Sequence, residues 1–279
     1  MKFLLIGGSG QLGTELKRKF PDALVTYRTK EVPGGVKLDL ADFVSLEDLI
    51  LKTRPSLVIN TAAFTDVDAC EVRREEAWKV NGEAVRHLIR AARVVEAHVI
   101  HVSTDYVFDG SKGNYAETDL PNPVNYYGLT KLTGEIYASS YDDSLVIRTS
   151  GVFGWSGFPA LVYRSLKEGR EVRAFKGFYS PVSAERLAEA IWELASSYRT
   201  GLIHVAGERI SRYELARRIA EEFGLDKGLI KEVEWIEGWR AKRPLDSSLD
   251  VSRAKRLISS DFYSLESNLK VLKSVLGKS

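Results

Sequence analysis

The strongest constraint on this chain is a glycine-rich turn close to its start. Residues 7–13 read Gly-Gly-Ser-Gly-Gln-Leu-Gly, between an apolar run and a helical pattern. A strand, such a turn and a helix begin a dinucleotide-binding unit, because glycines allow a tight turn, close approach of a diphosphate and close helix–strand packing. The helix N-terminus then offers free N–H groups to the phosphates. We expect a dinucleotide to contact Gly7, Gly10, Gln11, Leu12 and Gly13; a turn with no ligand is the alternative.

Short apolar runs alternate with longer helical patterns through the first half of the chain. The predicted strands are Lys2–Ile6, Ala23–Tyr27, Val36–Leu38, Leu57–Asn60, His98–Ser103 and Leu145–Thr149. The predicted helices are Gln11–Phe20, Phe43–Thr53, Glu75–Val95 and Tyr126–Ser139. Strands that alternate with helices form a parallel sheet, and strands buried on both faces are continuously apolar, as these are. The expected fold class is α/β, with a Rossmann-type doubly wound parallel sheet.

The pattern changes after Ser150, where a loop rich in glycine and aromatic residues interrupts the alternation. Four helices are predicted beyond it, at Ala160–Glu168, Ser183–Ser196, Arg212–Phe223 and Leu265–Leu276. No flexible linker separates the two parts. We expect an NAD(P)-binding Rossmann domain over residues 1–150 and a smaller C-terminal, mainly substrate-binding lobe over residues 151–279. The lobe should pack on the first domain across a cleft, with some interleaving of the chain.

The composition excludes several classes of function. There are 40 basic and 38 acidic residues, and the resulting net charge of +2 gives no basic field to hold nucleic acid. No stretch is long and apolar enough to span a bilayer, and the first apolar run is too short for a signal-peptide core. The single cysteine, Cys70, rules out an intrachain disulfide and fits a reducing compartment. We expect a soluble, cytoplasmic protein with neither a nucleic-acid nor a membrane partner.

Two further loops are candidates for the cofactor site, because each follows a predicted strand. Asp39 and Leu40 follow the third strand, where Asp39 could meet the adenine; a cap on the next helix is an equal alternative. The loop after the fourth strand carries small residues, which let the backbone pass close to a cofactor. Its expected contacts are Ala62, Ala63, Phe64 and Thr65. A plain turn is the alternative there.

The chemical centre is predicted where the fifth strand ends beside a downstream helix. Tyr127 and Lys131 are four residues apart and therefore share one helix face. A free tyrosine has a pKa near ~10, but a nearby ammonium lowers it, so Tyr127 can exchange a proton with a carbonyl oxygen as hydride arrives. Lys131 can also hold a ribose hydroxyl, Thr104 can position the reacting oxygen, and Ser103 is expected on the cofactor side. A surface Tyr–Lys pair with no chemistry is the alternative.

At these residues the chain resembles extended short-chain dehydrogenases/reductases, and more narrowly the dTDP-4-dehydrorhamnose reductase family. The most specific match is Ser103–Gly110, which reads STDYVFDG. The other matching blocks are Gly7–Gly13, Asn60–Thr65, Tyr127–Glu135, Arg148–Ser150 with Phe153-Gly154, His204–Gly207, Arg243-Pro244 and Ser247–Asp250. Together they extend over almost the whole chain.

The resemblance implies NAD(P)H-dependent reduction of the 4-keto group of a nucleotide-linked 6-deoxysugar, from dTDP-4-dehydrorhamnose to dTDP-L-rhamnose. By the same matching, Thr104, Asp105 and Tyr127 face the sugar. Some family members use Mg²⁺, and only the resemblance raises Mg²⁺ here, because no histidine or carboxylate cluster has metal-ligand spacing. No metal site is predicted. Exposed helix pairs commonly join two copies of such folds, so a homodimer is a hypothesis.

Two blocks depart from the family pattern, and both lie in the expected substrate lobe. The family usually has the sequence Arg-Thr-Ser-Trp, whereas residues 148–151 of this chain read Arg-Thr-Ser-Gly. The resemblance implies that the family's tryptophan forms one wall of the sugar site. Trp155, four residues later, is a candidate to fill the space. The family's Asp-Gln-x-x-x-Pro-Thr block is here Lys176–Val182. If Gly151 leaves the sugar site open, Gly151→Trp should change the selectivity for the sugar or block its binding, and the exact sugar stays open.

Two other functions remain as alternatives. The first is another nucleotide-sugar reductase or epimerase, which would share the scaffold and the catalytic pair. The second is a non-catalytic regulatory subunit, since that of methionine adenosyltransferase resembles the same family. The presence of Thr104, Tyr127 and Lys131 favours chemistry over the second alternative.

The end of the second strand predicts the choice of cofactor. An acidic residue there selects NAD, whereas an arginine accommodates the 2′-phosphate of NADP. The strand ends at Arg28, and no acid appears before Glu31. The planar guanidinium of Arg28 matches a phosphate; a solvated loop arginine is the alternative. We therefore expect NADP(H) to be preferred and NAD(H) to be accepted.

Overall fold

A sheet of seven parallel strands forms the centre of the structure, a computed structural model that describes residues 2–277. Residue 1 and residues 278–279, at the ends of the two expected domains, lie outside the described part. The strands along the chain are β1 Phe3–Ile6, β2 Leu24–Tyr27, β3 Val36–Lys37, β4 Leu57–Asn60, β5 His98–Thr104, β6 Ser144–Thr149, β7 Val172–Phe175, β8 Phe178–Tyr179, β9 Gly201–His204, β10 Ile210–Ser211 and β11 Ile230–Val233.

The order of strands in the main sheet is β3-β2-β1-β4-β5-β6-β9. The chain runs outward from β1 to β3 and then returns to build the other half of the sheet from β4. This reversal leaves a crevice at the carboxyl ends of β1 and β4, which is the ligand position in open α/β sheets. The predicted Rossmann-type α/β fold is confirmed.

Eleven α-helices accompany these strands within the described residues. They are α1 Gln11–Lys19, α2 Phe43–Thr53, α3 Val67–Val72, α4 Arg74–Trp78, α5 Ala84–Val95, α6 Tyr126–Ser139, α7 Phe158–Lys167, α8 Ala184–Ser196, α9 Arg212–Phe223, α10 Ser252–Leu257 and α11 Leu265–Leu276. The single helix predicted over Glu75–Val95 is interrupted by a π-helical turn at Lys79–Glu83. No helix in the described range is long and apolar enough to cross a membrane.

Side-chain caps explain where several of these helices begin. The Asn125 carboxamide accepts the Gly128 N–H at the start of α6, at 2.8 Å. The Ser211 hydroxyl does the same for the Glu214 N–H at the start of α9, at 3.0 Å. Each cap satisfies an N–H that has no partner inside its own helix. The cap on α6 fixes the start of the helix that carries Tyr127 and Lys131.

Apolar side chains that alternate along the strands fill a layer on each face of the sheet. Leu5 packs into the layer beneath α1 and α8, whereas its neighbours Leu4 and Ile6 pack into the layer beneath α2 and α5. Because successive strand residues point to opposite faces, a continuously apolar strand is buried on both sides. Helix α8 and strand β9 come from the second half of the sequence, so the chain returns to the Rossmann domain after residue 150.

The remaining residues build a smaller lobe against the carboxyl edge of the sheet. It contains an antiparallel pair, β8 with β10, and a parallel pair, β7 with β11. Helices α7, α9 and α11 enclose a separate apolar core that includes Phe153, Leu215 and Leu272. This separate core stabilises the lobe, whose loop at residues 151–156 borders the crevice.

A buried ion pair joins helix α6 to strand β6 of the sheet. The Arg148 guanidinium on β6 donates to the Glu135 carboxylate on α6, with Nη2 2.7 Å from Oε2, and both residues are about 4% exposed. Removing one partner leaves the other charge buried and unpaired, which costs about 3–5 kcal/mol. We expect Glu135→Leu to lower the free energy of unfolding by that amount in urea titrations. The double variant with Arg148→Met should recover most of the loss; equal stability of the parent and Glu135→Leu would contradict this account.

Candidate active site

A cavity of about 690 Å³ opens where the strand order reverses, at the carboxyl ends of the parallel strands. It borders both the sheet and the smaller lobe. The residues predicted from sequence that line it are Gly7, Gly10, Gln11, Leu12, Gly13, Arg28, Asp39, Leu40, Ala62, Ala63, Thr65, Ser103, Thr104, Asp105, Tyr127 and Lys131. Residues from six separate segments of the sequence therefore meet around one space.

The glycine turn forms the floor of one end of the cavity. Gly7 has a φ of +89°, and a Cβ there would lie 2.8 Å from the Ala62 nitrogen. A Cβ on Gly13 would lie 2.2 Å from the Gly7 carbonyl oxygen, so helix α1 could not pack this close with any larger residue. Helix α1 begins after Gly10 with no side-chain cap and no acid in its first turn. Its first N–H groups are thus available to an anion, as a dinucleotide diphosphate requires.

The structure of the loop after β3 distinguishes the two interpretations of Asp39, a contact with the cofactor and a cap on the next helix. The Asp39 carboxylate accepts the Ala41 N–H at 2.9 Å and faces the cavity. Helix α2 is instead capped by Asp42, which accepts the Ser45 N–H at 3.1 Å. The helix-cap alternative for Asp39 is wrong, because the chain makes one more turn before the helix begins. Its contact with a cofactor stays a prediction.

The loop after β4 lies against the cavity through its small residues, but Phe64 does not line it. The Phe64 N–H donates to Asn81 Oδ1 at 2.8 Å, and the Arg73 guanidinium lies 5.0 Å from its ring centroid. Asn81 Nδ2 donates to the Phe64 carbonyl oxygen and to Thr130 Oγ1, each at 3.1 Å. Sequence analysis missed Asn81, which ties the loop to α6 from the π-helical turn. A polar residue in an otherwise apolar helix face was the available signal.

Arg28 is exposed at the mouth of the cavity. Its Nη1 lies 3.7 Å from Glu76 Oε1, and Glu76 also pairs with Arg73. Arg28 therefore faces both the cavity and a carboxylate from α4. The sequence could not show this acid, which is 48 residues away.

Three predicted catalytic residues meet at the centre of the cavity. Thr104 and Tyr127 both line this space, and the Tyr127 ring is edge-on to Tyr106 with centroids 5.9 Å apart. The Lys131 ammonium donates to the Val102 carbonyl oxygen at 2.8 Å. The lysine is 2% exposed, so its position is fixed by packing as well as by this bond.

The electrostatics of the pair differ from the sequence expectation. Burial raises the pKa of Tyr127 above its usual value, and the Thr104 hydrogen bond offsets only part of that rise. Burial also lowers the pKa of Lys131 to about 8. The net shift of the Tyr127 pKa is therefore upward, opposite to the fall expected from Lys131 alone, because the low-dielectric surroundings disfavour the charged forms of both groups. Tyr127 is held as a neutral phenol, which is the form that can donate a proton.

Asp105 is buried beside this centre and accepts three hydroxyl hydrogen bonds. They come from Thr104 at 3.1 Å, Ser150 at 2.8 Å and Ser247 at 2.5 Å. Burial raises the pKa of the Asp105 carboxyl, although the three bonds act in the opposite direction. Asp105 borders the cavity, and its role in sugar binding stays a prediction; its observed contacts fix Thr104 and the start of the second lobe.

Several residues that sequence analysis missed form the lobe side of the cavity. Tyr106 and Arg212 both line the cavity, and the Arg212 guanidinium lies 4.2 Å from the Tyr179 ring centroid. The buried hydroxyls of Ser103, Thr149 and Tyr179 find no hydrogen-bond partner within residues 2–277. All three residues line the cavity. Buried polar atoms are rarely left unpaired, so these positions fit a polar ligand.

The space at Gly151 is already occupied. Gly151 has a φ of +49°, and a Cβ there would lie 2.5 Å from Cε2 of Tyr179. A ring from β8 thus occupies the space next to the Cα atom of Gly151. Trp155 lies at the rim of the same cavity and is 36% exposed.

The described residues contain no group of three or more histidine, cysteine, aspartate or glutamate side chains placed to hold a metal ion. His98, His101 and His204 are buried, and the Asn60 carboxamide nitrogen lies 3.2 Å from His101 Nδ1.

The comparison with protein families decides the family. Residues 1–275 match the model described as the RmlD substrate binding domain. The chain belongs to this family. The predicted resemblance to dTDP-4-dehydrorhamnose reductases is confirmed.

Individual relatives are similar to this chain over almost its whole length. A crystal structure of a hypothetical dTDP-4-dehydrorhamnose reductase from Sulfolobus tokodaii is 57% identical, with a TM-score of 0.94 over 97% of this chain and 99% of the other. The probable low-salt glycan biosynthesis reductase Agl14 of Haloferax volcanii is 34% identical over 99% of both chains. A dTDP-4-dehydrorhamnose reductase from Bacillus anthracis, solved in complex with NADP, is 25% identical over 100% of this chain and 99% of the other, with a TM-score of 0.87.

The buried lysine predicts a pH dependence of stability. Its pKa is about 8 in the folded state against an ordinary 10.5, so the unfolded state binds more protons between these values. The contribution of Lys131 to the free energy of unfolding must then rise with pH over that interval, by up to about 3 kcal/mol. We expect the free energy of unfolding of the parent, minus that of Lys131→Met, to increase from pH 7 to pH 9.5 in urea titrations.

The parent must be compared with Lys131→Met because ionisation of Cys70 changes the free energy of unfolding with pH in the opposite direction. Burial raises the pKa of the Cys70 thiol to about 12, which lowers stability above pH 9 in both proteins. Exposed Lys52, replaced by methionine, is the matched control and should show no such difference. A parent-minus-variant difference that is flat with pH would show that Lys131 is not held in a charge-disfavouring site.

Proposed function

We propose that this protein reduces the 4-keto group of dTDP-4-dehydrorhamnose with NADPH to give dTDP-L-rhamnose. The observation that carries the proposal is the Thr104–Tyr127 hydroxyl pair, which lies with Lys131 in the same cavity as the glycine turn. A proton donor is thus placed next to a dinucleotide site. The names of the Sulfolobus tokodaii and Bacillus anthracis relatives support this substrate and this cofactor.

NADPH, when bound, supplies the hydride that is added to the keto carbon. Tyr127 gives its phenolic proton to the carbonyl oxygen, so the ketone becomes a secondary alcohol and the tyrosine becomes a phenolate. Burial keeps Tyr127 protonated before the step, and the Lys131 ammonium stabilises the phenolate after it. The Thr104 hydroxyl donates to Asp105 in this structure, and it would turn from that carboxylate to donate to the same carbonyl oxygen.

The cofactor is held by the residues that sequence analysis named. The turn and α1 would bind the diphosphate through N–H groups, with the Asn60–Thr65 loop next to the nucleotide. Lys131 would bond the nicotinamide ribose, and Ser103 offers a buried hydroxyl with no partner in the described chain. The sugar would then contact Tyr127 and the lobe side of the cavity.

Tyr127→Phe tests the proton donor. The ring stays and the acid is lost, so turnover of dTDP-4-dehydrorhamnose should fall on the order of 10²–10⁴-fold, while NADPH affinity changes little. Tyr126→Phe on the same helix is the matched control, because Tyr126 lies outside the cavity lining. The measurement is the loss of nicotinamide absorbance together with chromatography of the sugar product. Turnover of Tyr127→Phe within twofold of the parent would remove the assignment.

Arg28 and Glu76 together test the choice of cofactor. Arg28→Ala should weaken NADPH binding roughly ten- to hundredfold and leave NADH nearly unchanged, because it removes a charged hydrogen bond to the 2′-phosphate. Glu76→Gln removes the acid beside Arg28 and should tighten NADPH. Dissociation constants from cofactor fluorescence give both effects, with the remote Arg170→Ala as control. A parent that prefers NADH, or an Arg28→Ala variant that weakens both cofactors equally, would contradict this role.

A further inference from the structure

The two places where this chain departs from its family are in contact with each other. Gly151 replaces a tryptophan, and Tyr179 lies in the divergent block Lys176–Val182. The Tyr179 Cε2 and Cδ2 atoms lie 2.5 Å and 2.7 Å from where a Cβ on residue 151 would be. A larger residue at 151 and the ring at 179 cannot occupy this space together. The space beside residue 151, just after β6, is filled by an aromatic ring from β8.

Tyr179 is held rigidly in that position. It is 2% exposed, it pairs in register with Ile210 across the β8–β10 ladder, and the Arg212 guanidinium lies 4.2 Å from its ring centroid. The next residue, Ser180, donates its N–H to Ser150 Oγ at 3.2 Å, and that hydroxyl in turn donates to Asp105. The ring is therefore connected, through two hydrogen bonds, to the residue that follows Thr104.

The hydroxyl of Tyr179 is the feature that a tryptophan would not supply. It is buried among the cavity-lining residues and has no hydrogen-bond partner in the described part of the chain. A phenol both donates and accepts, whereas an indole N–H only donates. Burial raises the pKa of Tyr179, so the proton stays on the oxygen. An unpaired donor and acceptor in a cleft normally meets a ligand.

We propose that Tyr179 is the specificity-determining residue of the sugar site, with its ring as the wall and its hydroxyl bonded to a hydroxyl of the substrate's sugar ring. The proposal rests on the function proposed above, because that function puts a nucleotide-linked deoxysugar in this cavity. It predicts discrimination that a tryptophan wall lacks: sugars that present a hydroxyl to Tyr179 bind better than those that lack it.

Binding of two probes, dTDP-rhamnose and dTDP, tests the contact by calorimetry. Tyr179→Phe keeps the ring and should weaken dTDP-rhamnose about three- to tenfold, the effect of one neutral hydrogen bond, while dTDP affinity stays unchanged. Tyr163→Phe is the matched control, since Tyr163 is buried in the core of the same lobe and outside the cavity. Equal affinity of the parent and Tyr179→Phe for dTDP-rhamnose would overturn the proposal.

A side-chain swap tests the wall independently of the hydroxyl. Gly151→Trp alone should lose dTDP-rhamnose binding, because the indole meets the Tyr179 ring. The double variant Gly151→Trp with Tyr179→Gly frees that space and should regain binding to about the level of Tyr179→Phe, because both variants lack the hydroxyl. Full binding by Gly151→Trp alone would overturn the proposed wall, as would a double variant that folds, shown by its thermal transition, but binds no better than the single one.

The outcomes separate this proposal from the proposed function. If the parent does not reduce dTDP-4-dehydrorhamnose but Tyr179→Phe still weakens dTDP-rhamnose selectively, the reaction is wrong and the sugar contact stands. If the parent reduces the ketosugar and Tyr179→Phe binds both probes like the parent, the reaction stands and the sugar contact is wrong.

Discussion

The buried carboxylate of Asp105 is the interaction on which the site depends. It follows directly after β5 and collects hydroxyls from Thr104, from Ser150 at the end of β6, and from Ser247 near the end of the chain. A buried carboxylate is costly unless such donors compensate it, so all three segments are required to meet there. The same contact that fixes the Thr104 hydroxyl therefore also closes the smaller lobe onto the sheet. Catalytic geometry and lobe packing are not separate properties of this molecule.

Burial also decides the chemistry of the Tyr127–Lys131 pair. In water a lysine four residues from a tyrosine would chiefly help the phenol to ionise, whereas in this cavity both charged forms are disfavoured. The result is a neutral phenol beside an ammonium that titrates near pH 8. This state matches a reduction, in which the tyrosine must begin with a proton and end as an anion. The charge on Lys131 becomes most useful when the phenolate appears.

The departures from the family show how a site can keep its shape while its parts change. By resemblance to the family, the sequence pointed to two departures, Gly151 in place of a tryptophan and the block Lys176–Val182. Tyr179, in that block, is 28 residues from Gly151, and nothing in the sequence related the two. The structure places them side by side, so a side chain larger than glycine at 151 would meet the Tyr179 ring. Arg212, which stacks on Tyr179, carried no sequence signal at all, because an arginine at the first position of a helix is ordinary. Phe64, by contrast, matched a family block but lies outside the cavity lining.

The sequence alone determined what depends on neighbours along the chain. The glycine spacing required a tight turn and a close helix, the apolar runs required strands buried on both faces, and the Tyr127–Lys131 interval required a shared helix face. Helices α2, α6, α9 and α11 were predicted with the bounds that the structure has. Only the tertiary structure decided what depends on burial and on contacts between distant segments. It set the pKa of the catalytic pair, placed Glu76 beside Arg28, and filled the space at Gly151 with Tyr179. Local patterns cannot show these features, because desolvation and side-chain packing are properties of the folded surroundings and not of any one segment.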